Sequence, residues 1–175
     1  MIKINLNEYQ KKARTTCLDN CKNLEYLTLG LVGELGEVSE KEDEIYCKKE
    51  EKESILLEVG DVMWYLANIS TELKIELDHV WDINFKDNIK FNSLPAFIFA
   101  SKICEKVKKI KRDKKGVADK KDTIAILKNL TKIIRYLDYE TNYFGFSLED
   151  AMIKNIEKLE SRKKRGVLKG NGDNR

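Results

Sequence analysis

"GLVGELGEVSEK" (residues 30–41) and "LLEVGDVMWYLANIS" (residues 56–70) decide how this chain is read. In both, apolar residues recur three and four apart, the period of a helix with one buried face. Yet each sets carboxylates beside glycine within the apolar run. Glu34 and Glu37 stand among Gly33, Leu35, Gly36 and Val38, and Glu58 and Asp61 among Val59, Gly60 and Val62. A glycine in a helix interior costs roughly 1 kcal/mol relative to alanine, and carboxylates are seldom buried without a partner charge or a metal. Residues three apart lie one turn apart on one helix face, so each segment presents a pair of acids. Between them, "CKKEEKE" (47–53) has room to end one helix and start an antiparallel return. Four carboxylates would then project into one small volume, with the glycines letting a neighbouring helix or a ligand come close.

The same period continues along the chain. It predicts helices over 7–22, 24–47, 52–73, 76–90, 95–113, 121–143 and 147–164, an all-α antiparallel bundle with short connections. Asn7, Ser54, Asp122 and Ser147 are helix-start signals, and Gly116 and Gly145 are placed in turns. Residues 1–165 read as one domain. Within it, 24–90 carries the acids, and 91–164 is a second half ending in the last helix. The basic stretch 166–175 reads as a flexible tail.

At a spacing of 71, "WYLANISTELKIELDHVWDIN" (64–84) overlies "RYLDYETNYFGFSLEDAMIKN" (135–155) without a gap. Tyr65 meets Tyr136, Leu66 meets Leu137, Leu77 meets Leu148 and Asn84 meets Asn155. This is either a degenerate internal repeat or two amphipathic helix pairs aligning by chance. Glu37, Glu58 and Asp61 fall opposite Lys108, Asn129 and Lys132, so chemistry resting on the acids belongs to the first half.

Charged residues make up 36% of the 175, but the net charge is only +3, which argues against a general polyanion binder. The basic excess is local, in "KVKKIKRDKK" (106–115) and in the tail. No stretch approaches the roughly 18–20 apolar residues of a membrane span. The N-terminus lacks a signal-peptide core, so a cytoplasmic location is expected. Four cysteines and one histidine are present, with no CxxC pair, and this favours reduced thiols over zinc. Cys17 and Cys21 would share a face of the first helix. Trp64, Trp81, Phe97, Phe99, Phe144 and Phe146 read as core or helix-interface residues.

Oxygen-only ligands such as Glu34, Glu37, Glu58 and Asp61 suit Mg2+, or Mn2+, rather than a softer ion. A di-iron bundle wants Glu-x-x-His pairs, and no histidine follows a glutamate at that spacing. A solvated acidic helix face is the bland alternative, and the interior glycines with their apolar flanks speak against it.

"GLVGELGEVSEK…LLEVGDVMWYLA" resembles the ExxE…ExxD signature of the MazG-like all-α nucleoside triphosphate pyrophosphohydrolases, a superfamily that includes dimeric dUTPases and dCTP pyrophosphatases. "NEYQKKARTT" (7–16) is similar to their first helix. "NIEKLESRKKRGVLKGNGDNR" (155–175) is similar to the last helix and basic tail of some, often phage-encoded, members. The stretch 91–146 departs from the shortest members. The resemblance implies hydrolysis of a (d)NTP to (d)NMP and pyrophosphate, with Glu34, Glu37, Glu58 and Asp61 as metal ligands. Glu34 would orient or deprotonate the water, with Glu37 as the second catalytic acid.

The resemblance further implies substrate contacts from Tyr65, Asn68, Asn155, Lys158 and Arg162. Lys41 either reaches a phosphate or pairs with Glu37, and Gln10 either touches the nucleotide or is a surface residue. A homodimer is the family habit. If the second half is a true copy, it would serve as a built-in partner in a pseudo-dimeric monomer. Two other functions stand beside this one. The first is a dUTPase- or dCTPase-type specialist using the same acids. The second is a non-catalytic nucleic-acid-binding module using 106–115 and 162–175, which the four acids would oppose.

Overall fold

A computed structural model of the chain describes residues 4–48, 51–82 and 94–169. Among them it is all-α: α1 (Leu6–Arg14), α2 (Leu24–Lys48), α3 (Ile55–Glu72), α4 (Leu77–Asp82), α5 (Leu94–Lys114), α6 (Lys120–Tyr143) and α7 (Leu148–Lys164). Short 3-10 turns stand at Asp19–Cys21 and Lys52–Ser54. Among the described residues no helix is long and apolar enough to cross a membrane.

The helix pivotal to the architecture is α3. Ile55, Leu56, Val59, Val62, Met63, Leu66, Ala67 and Ile69 leave it nearly without a solvent face, as expected of a helix that is apolar all round. It packs against α1, α2, α6 and α7. The pairing of α2 with α3 is antiparallel, since Gly30 faces Tyr65 while Glu37 converges with Glu58. A second hairpin, α5–α6, lies against it through α2 and α3.

Three starts are secured by capping boxes: Asn5 with Glu8 on α1, Asp119 with Asp122 on α6, and Ser147 with Asp150 on α7. Asn5 therefore replaces the expected Asn7, and Asp119 the expected Asp122, which instead holds the fourth position of its box. Ser54 precedes α3 but bonds back to the Glu51 carbonyl instead of capping the helix.

The first helix ends eight residues before the expected boundary of 22. Thr15 and Thr16 turn their hydroxyls onto the Lys12 and Ala13 carbonyls, the local bonding by which such residues compete with a helix. Cys17 and Cys21 are buried in the turn that follows and do not share a helix face. The fourth helix is described as far as Asp82; the expected continuation over 83–90, with Asn84, lies outside the described residues, as does 170–175 of the tail.

The spacing of 71 reappears in the joints. Leu73 and Phe144 end α3 and α6 with φ of −85° and −83°. Lys74 and Gly145 follow with φ of +58° and +92°. The Ile75 amide then reaches the Ser70 carbonyl, and the Phe146 amide the Thr141 carbonyl, each at 2.9 Å. Such a helix end is common, and α7 ends the same way at Gly166, so the register matters more than the motif. Packing follows that register too: α2 meets α5, α3 meets α6, α3 meets α7 and α4 meets α6.

Candidate functional site

The acids of α2 and α3 divide three and one. Glu34, Glu37 and Glu58 each bring a carboxylate oxygen to within 4.8 Å of the others. Glu58 is 9% exposed, and Glu34 is partly buried. Burial is the largest influence on Glu34, and the charges of Asp61 and Glu37 add to it. Together they push its pKa up from 4.5 to about 8, Lys158 acting the other way. Without a cation the cluster therefore relieves its crowding by holding a proton.

Asp61, one turn beyond Glu58, is clasped by α7. Asn155 Nδ2 donates to Oδ1 at 2.7 Å, and Lys158 Nζ to Oδ2 at 2.5 Å. The orientation of Asn155 is set from behind. Tyr9 Oη, fully buried on α1, donates to Asn155 Oδ1 at 2.9 Å and reaches the Gly60 carbonyl at 3.2 Å. With the oxygen so engaged, the amide nitrogen must face Asp61. Gly60 makes the approach possible, because a Cβ there would lie 2.8 Å from Asn155 Cβ and 2.9 Å from the Ala151 carbonyl.

Gly33 and Gly36 behave differently, since a Cβ on either meets nothing within 4 Å. The expectation that they admit a neighbouring helix is therefore not met in this chain. The second close approach is at Gly30, against the ring of Tyr65.

Beside the acids opens a cavity of about 160 Å³. Glu34 and Asp61 line it, together with Tyr26, Trp64, Tyr65 and Arg162. Trp64, expected in the core or at a helix interface, packs against the core at the contact with α1 and also forms a wall here. Its indole nitrogen donates to Thr16 Oγ1 at 2.8 Å and to the Ala13 carbonyl at 3.1 Å. Tyr65 stands edge-on to it, ring centroids 4.9 Å apart. Arg162 is only 4% exposed, so its guanidinium belongs to the wall and not to a solvated helix end. Leu168, from the start of the tail, also lines the cavity.

Asn68, expected at the substrate, and Gln10, read as either a nucleotide contact or a surface residue, both face elsewhere in the structure. Asn68 donates to the Trp64 carbonyl at 3.0 Å and accepts from Arg14 at 3.4 Å, on the α1 side of α3. Gln10 joins α1 to the α3–α4 joint, donating to Thr71 and Ile75 and accepting from the Leu77 amide. Lys41 lies 2.6 Å from Glu44 on its own helix.

No family model and no solved structure matches this chain. It is similar to the "Gene 37 protein" of Mycobacterium phage L5. The two are 40% identical over 72 residues, covering 38% of this chain and 63% of the phage protein. The match thus takes in less than two thirds of that relative.

The donor set fits a small hard divalent cation. Three carboxylates converge without nitrogen or sulfur among them, and their mutual repulsion is what such an ion would relieve. The adjoining cavity joins an anionic edge to aromatic walls and one buried guanidinium. Such a lining could hold a flat, partly apolar ligand carrying anionic groups.

Proposed function

We propose that the protein is a divalent-metal-dependent nucleoside triphosphate pyrophosphohydrolase of the MazG-like kind, converting (d)NTP and water to (d)NMP and pyrophosphate. The supporting observation is the convergence of Glu34, Glu37 and Glu58 directly beside an aromatic-walled cavity that Glu34 also lines. Bound Mg2+, or Mn2+, would neutralise the triphosphate and polarise the phosphorus under attack. Glu34, Glu37 and Glu58 would hold it, with Asp61 as the fourth carboxylate. Glu34 belongs to both the cluster and the cavity wall, and it accepts the proton of the attacking water. Lys158 and Arg162 bind the phosphate oxygens, while the buried Asn155, expected at the substrate, instead holds Asp61 in place. Trp64 and Tyr65 flank the base.

The modest volume between Tyr26, Trp64 and Tyr65 favours a single-ring base, so a specialist for dUTP or dCTP is the second reading. The nucleic-acid module is disfavoured because carboxylates of the chain stand beside the cations of α5 and would oppose a polyanion. Lys106 and Lys114 pair with Asp122, Lys108 and Lys109 with Glu105, and Lys111 with Glu25. Asn155 and Lys158 come from the second half to an acid of the first. Together with the shared register of the joints, this supports the degenerate repeat as a built-in partner and a pseudo-dimeric monomer over a homodimer.

Pyrophosphate release from each (d)NTP with Mg2+ tests the proposal. Glu37→Ala and Asp61→Ala are each expected to lower turnover by about 100-fold or more. Salt-sensitive DNA or RNA binding without turnover would transfer the function to the nucleic-acid reading.

A further inference from the structure

We infer that Lys158 is a built-in competitor for the divalent ion at Asp61: its ammonium holds the fourth carboxylate until an arriving anion draws it away. The inference rests on the proposed metal reading and adds to it a condition on when the fourth ligand is delivered.

The geometry divides the four acids unequally. Three converge on one another, while Asp61 is turned to α7, with one oxygen on Asn155 and the other 2.5 Å from Lys158 Nζ. The pair is well removed from water, the side chains being 20% and 11% exposed. Ammonium and a divalent cation cannot share that oxygen, because two positive charges at contact distance in a poorly solvated cleft repel strongly. Asp61 therefore binds the ion only after Lys158 leaves.

Helix α7 itself is not free to withdraw. Gly60 seats it against α3, and Tyr9 fixes Asn155 from behind. The movement must then take place in the long lysine stem, whose four-carbon chain can swing the ammonium while the helix stays. The natural destination is the negative charge of a ligand entering the cavity. Without such a ligand, Lys158 keeps the site short of one carboxylate and weakens metal binding. With it, the same cation moves from acid to substrate, so metal and substrate bind cooperatively.

Mn2+ titration of the full chain without nucleotide, read by calorimetry, provides the test. Lys158→Met is expected to tighten Mn2+ binding roughly tenfold, whereas Lys158→Arg, which keeps the charge, stays near wild type. In an Asp61→Asn background, Lys158→Met is expected to change the affinity less than about twofold. Thermal melts on every variant, with Lys158→Gln as a second neutral substitution, separate loss of fold from loss of competition. Equal Mn2+ affinity in wild type and both folded neutral variants overturns the inference and leaves the metal reading standing. Tightening that persists in the Asp61→Asn background also overturns it, since that outcome reports the general field of the cleft. If neither wild type nor the folded neutral variants bind Mn2+ at millimolar concentration, the metal reading falls together with the inference.

Discussion

Gly30 of α2 lies under the ring of Tyr65 of α3, so close that a Cβ would stand 2.1 Å from Cε1 and 2.6 Å from the hydroxyl oxygen. The clash is with the far end of a side chain, so the ring can move. Alanine at 30 would push it into the cavity it now borders. Two effects oppose each other in stability, a helix gain of about 1 kcal/mol and a repacking cost of similar size. Gly30→Ala is therefore expected to melt within about 1 kcal/mol of wild type while raising KM for the nucleotide several-fold. In a Tyr65→Ala background the clash is gone, and Gly30→Ala should then stabilise by about 1 kcal/mol. Denaturant titration of the single and double variants checks both, and a stabilisation by Gly30→Ala as large in wild type as in the Tyr65→Ala background would refute the close packing.

The other site glycines separate into two kinds. Gly33 and Gly36 face open space, so alanine at either should stabilise the chain by about 1 kcal/mol, which for a chain of this size raises Tm by about 2–4 °C. At Gly60 the obstacle includes the backbone carbonyl of Ala151, which cannot swing aside. Gly60→Ala should cost about 1–3 kcal/mol and loosen the grip of α7 on Asp61. Scanning calorimetry of the three variants should show opposite signs, and a shared sign would contradict this division.

A dependence of stability on pH follows from Glu34. Its folded pKa of about 8 stands above the ordinary 4.5, through burial first and neighbouring carboxylates second. Folded protein thus keeps a proton that the unfolded chain gives up, and stability falls as pH rises from 4.5 to about 8. Glu140, raised to about 8 by burial and then by Glu42, acts in the same direction. Melting temperature without metal should accordingly decline between pH 5 and 8. Glu34→Gln should remove part of the slope and Glu140→Gln another part. Mg2+ competes with the proton on Glu34, so its stabilising effect should grow across the same window in wild type and not in Glu34→Gln. A melting temperature that rises from pH 5 to 8 would contradict the assignment.

Much of this was legible in the sequence because it rests on spacing along single helices. The helical period revealed the seven helices, and the two acid pairs revealed which faces of α2 and α3 must meet. What escaped depends on position along the helix axis and on distant segments. Asn68, two turns past Asp61 on nearly the same face, lies about 10 Å further along the helix and meets Arg14 rather than the cavity. Trp64 in an apolar run reads as core or helix interface, and its further place in a cavity wall depends on residues 15–23 leaving the helix and passing beside it. The paired threonines followed by "DNCKN" were the available sign of that break. Nothing local to Glu42 or Tyr136 announced that the tyrosine hydroxyl donates to that carboxylate across 94 positions.

The shared register of the α3–α4 and α6–α7 joints yields a prediction that needs no activity. Both joints demand a left-handed residue, and Gly145 provides it at +92° while Lys74 adopts +58° with a side chain. For an L-residue that conformation costs roughly 1–2 kcal/mol, a cost glycine avoids. Lys74→Gly should therefore stabilise the chain by up to about 1 kcal/mol, some of the gain being lost to the greater freedom of glycine when unfolded. Gly145→Ala should destabilise by about 1–2 kcal/mol. Because Lys74 is exposed, its charge has little bearing on the result, and Lys74→Ala, which keeps the strain, should remain within about 0.5 kcal/mol of wild type. Denaturant melts of these three variants decide the matter. Loss of stability in Lys74→Gly would show that the first joint differs from the second in the conformation that defines their likeness.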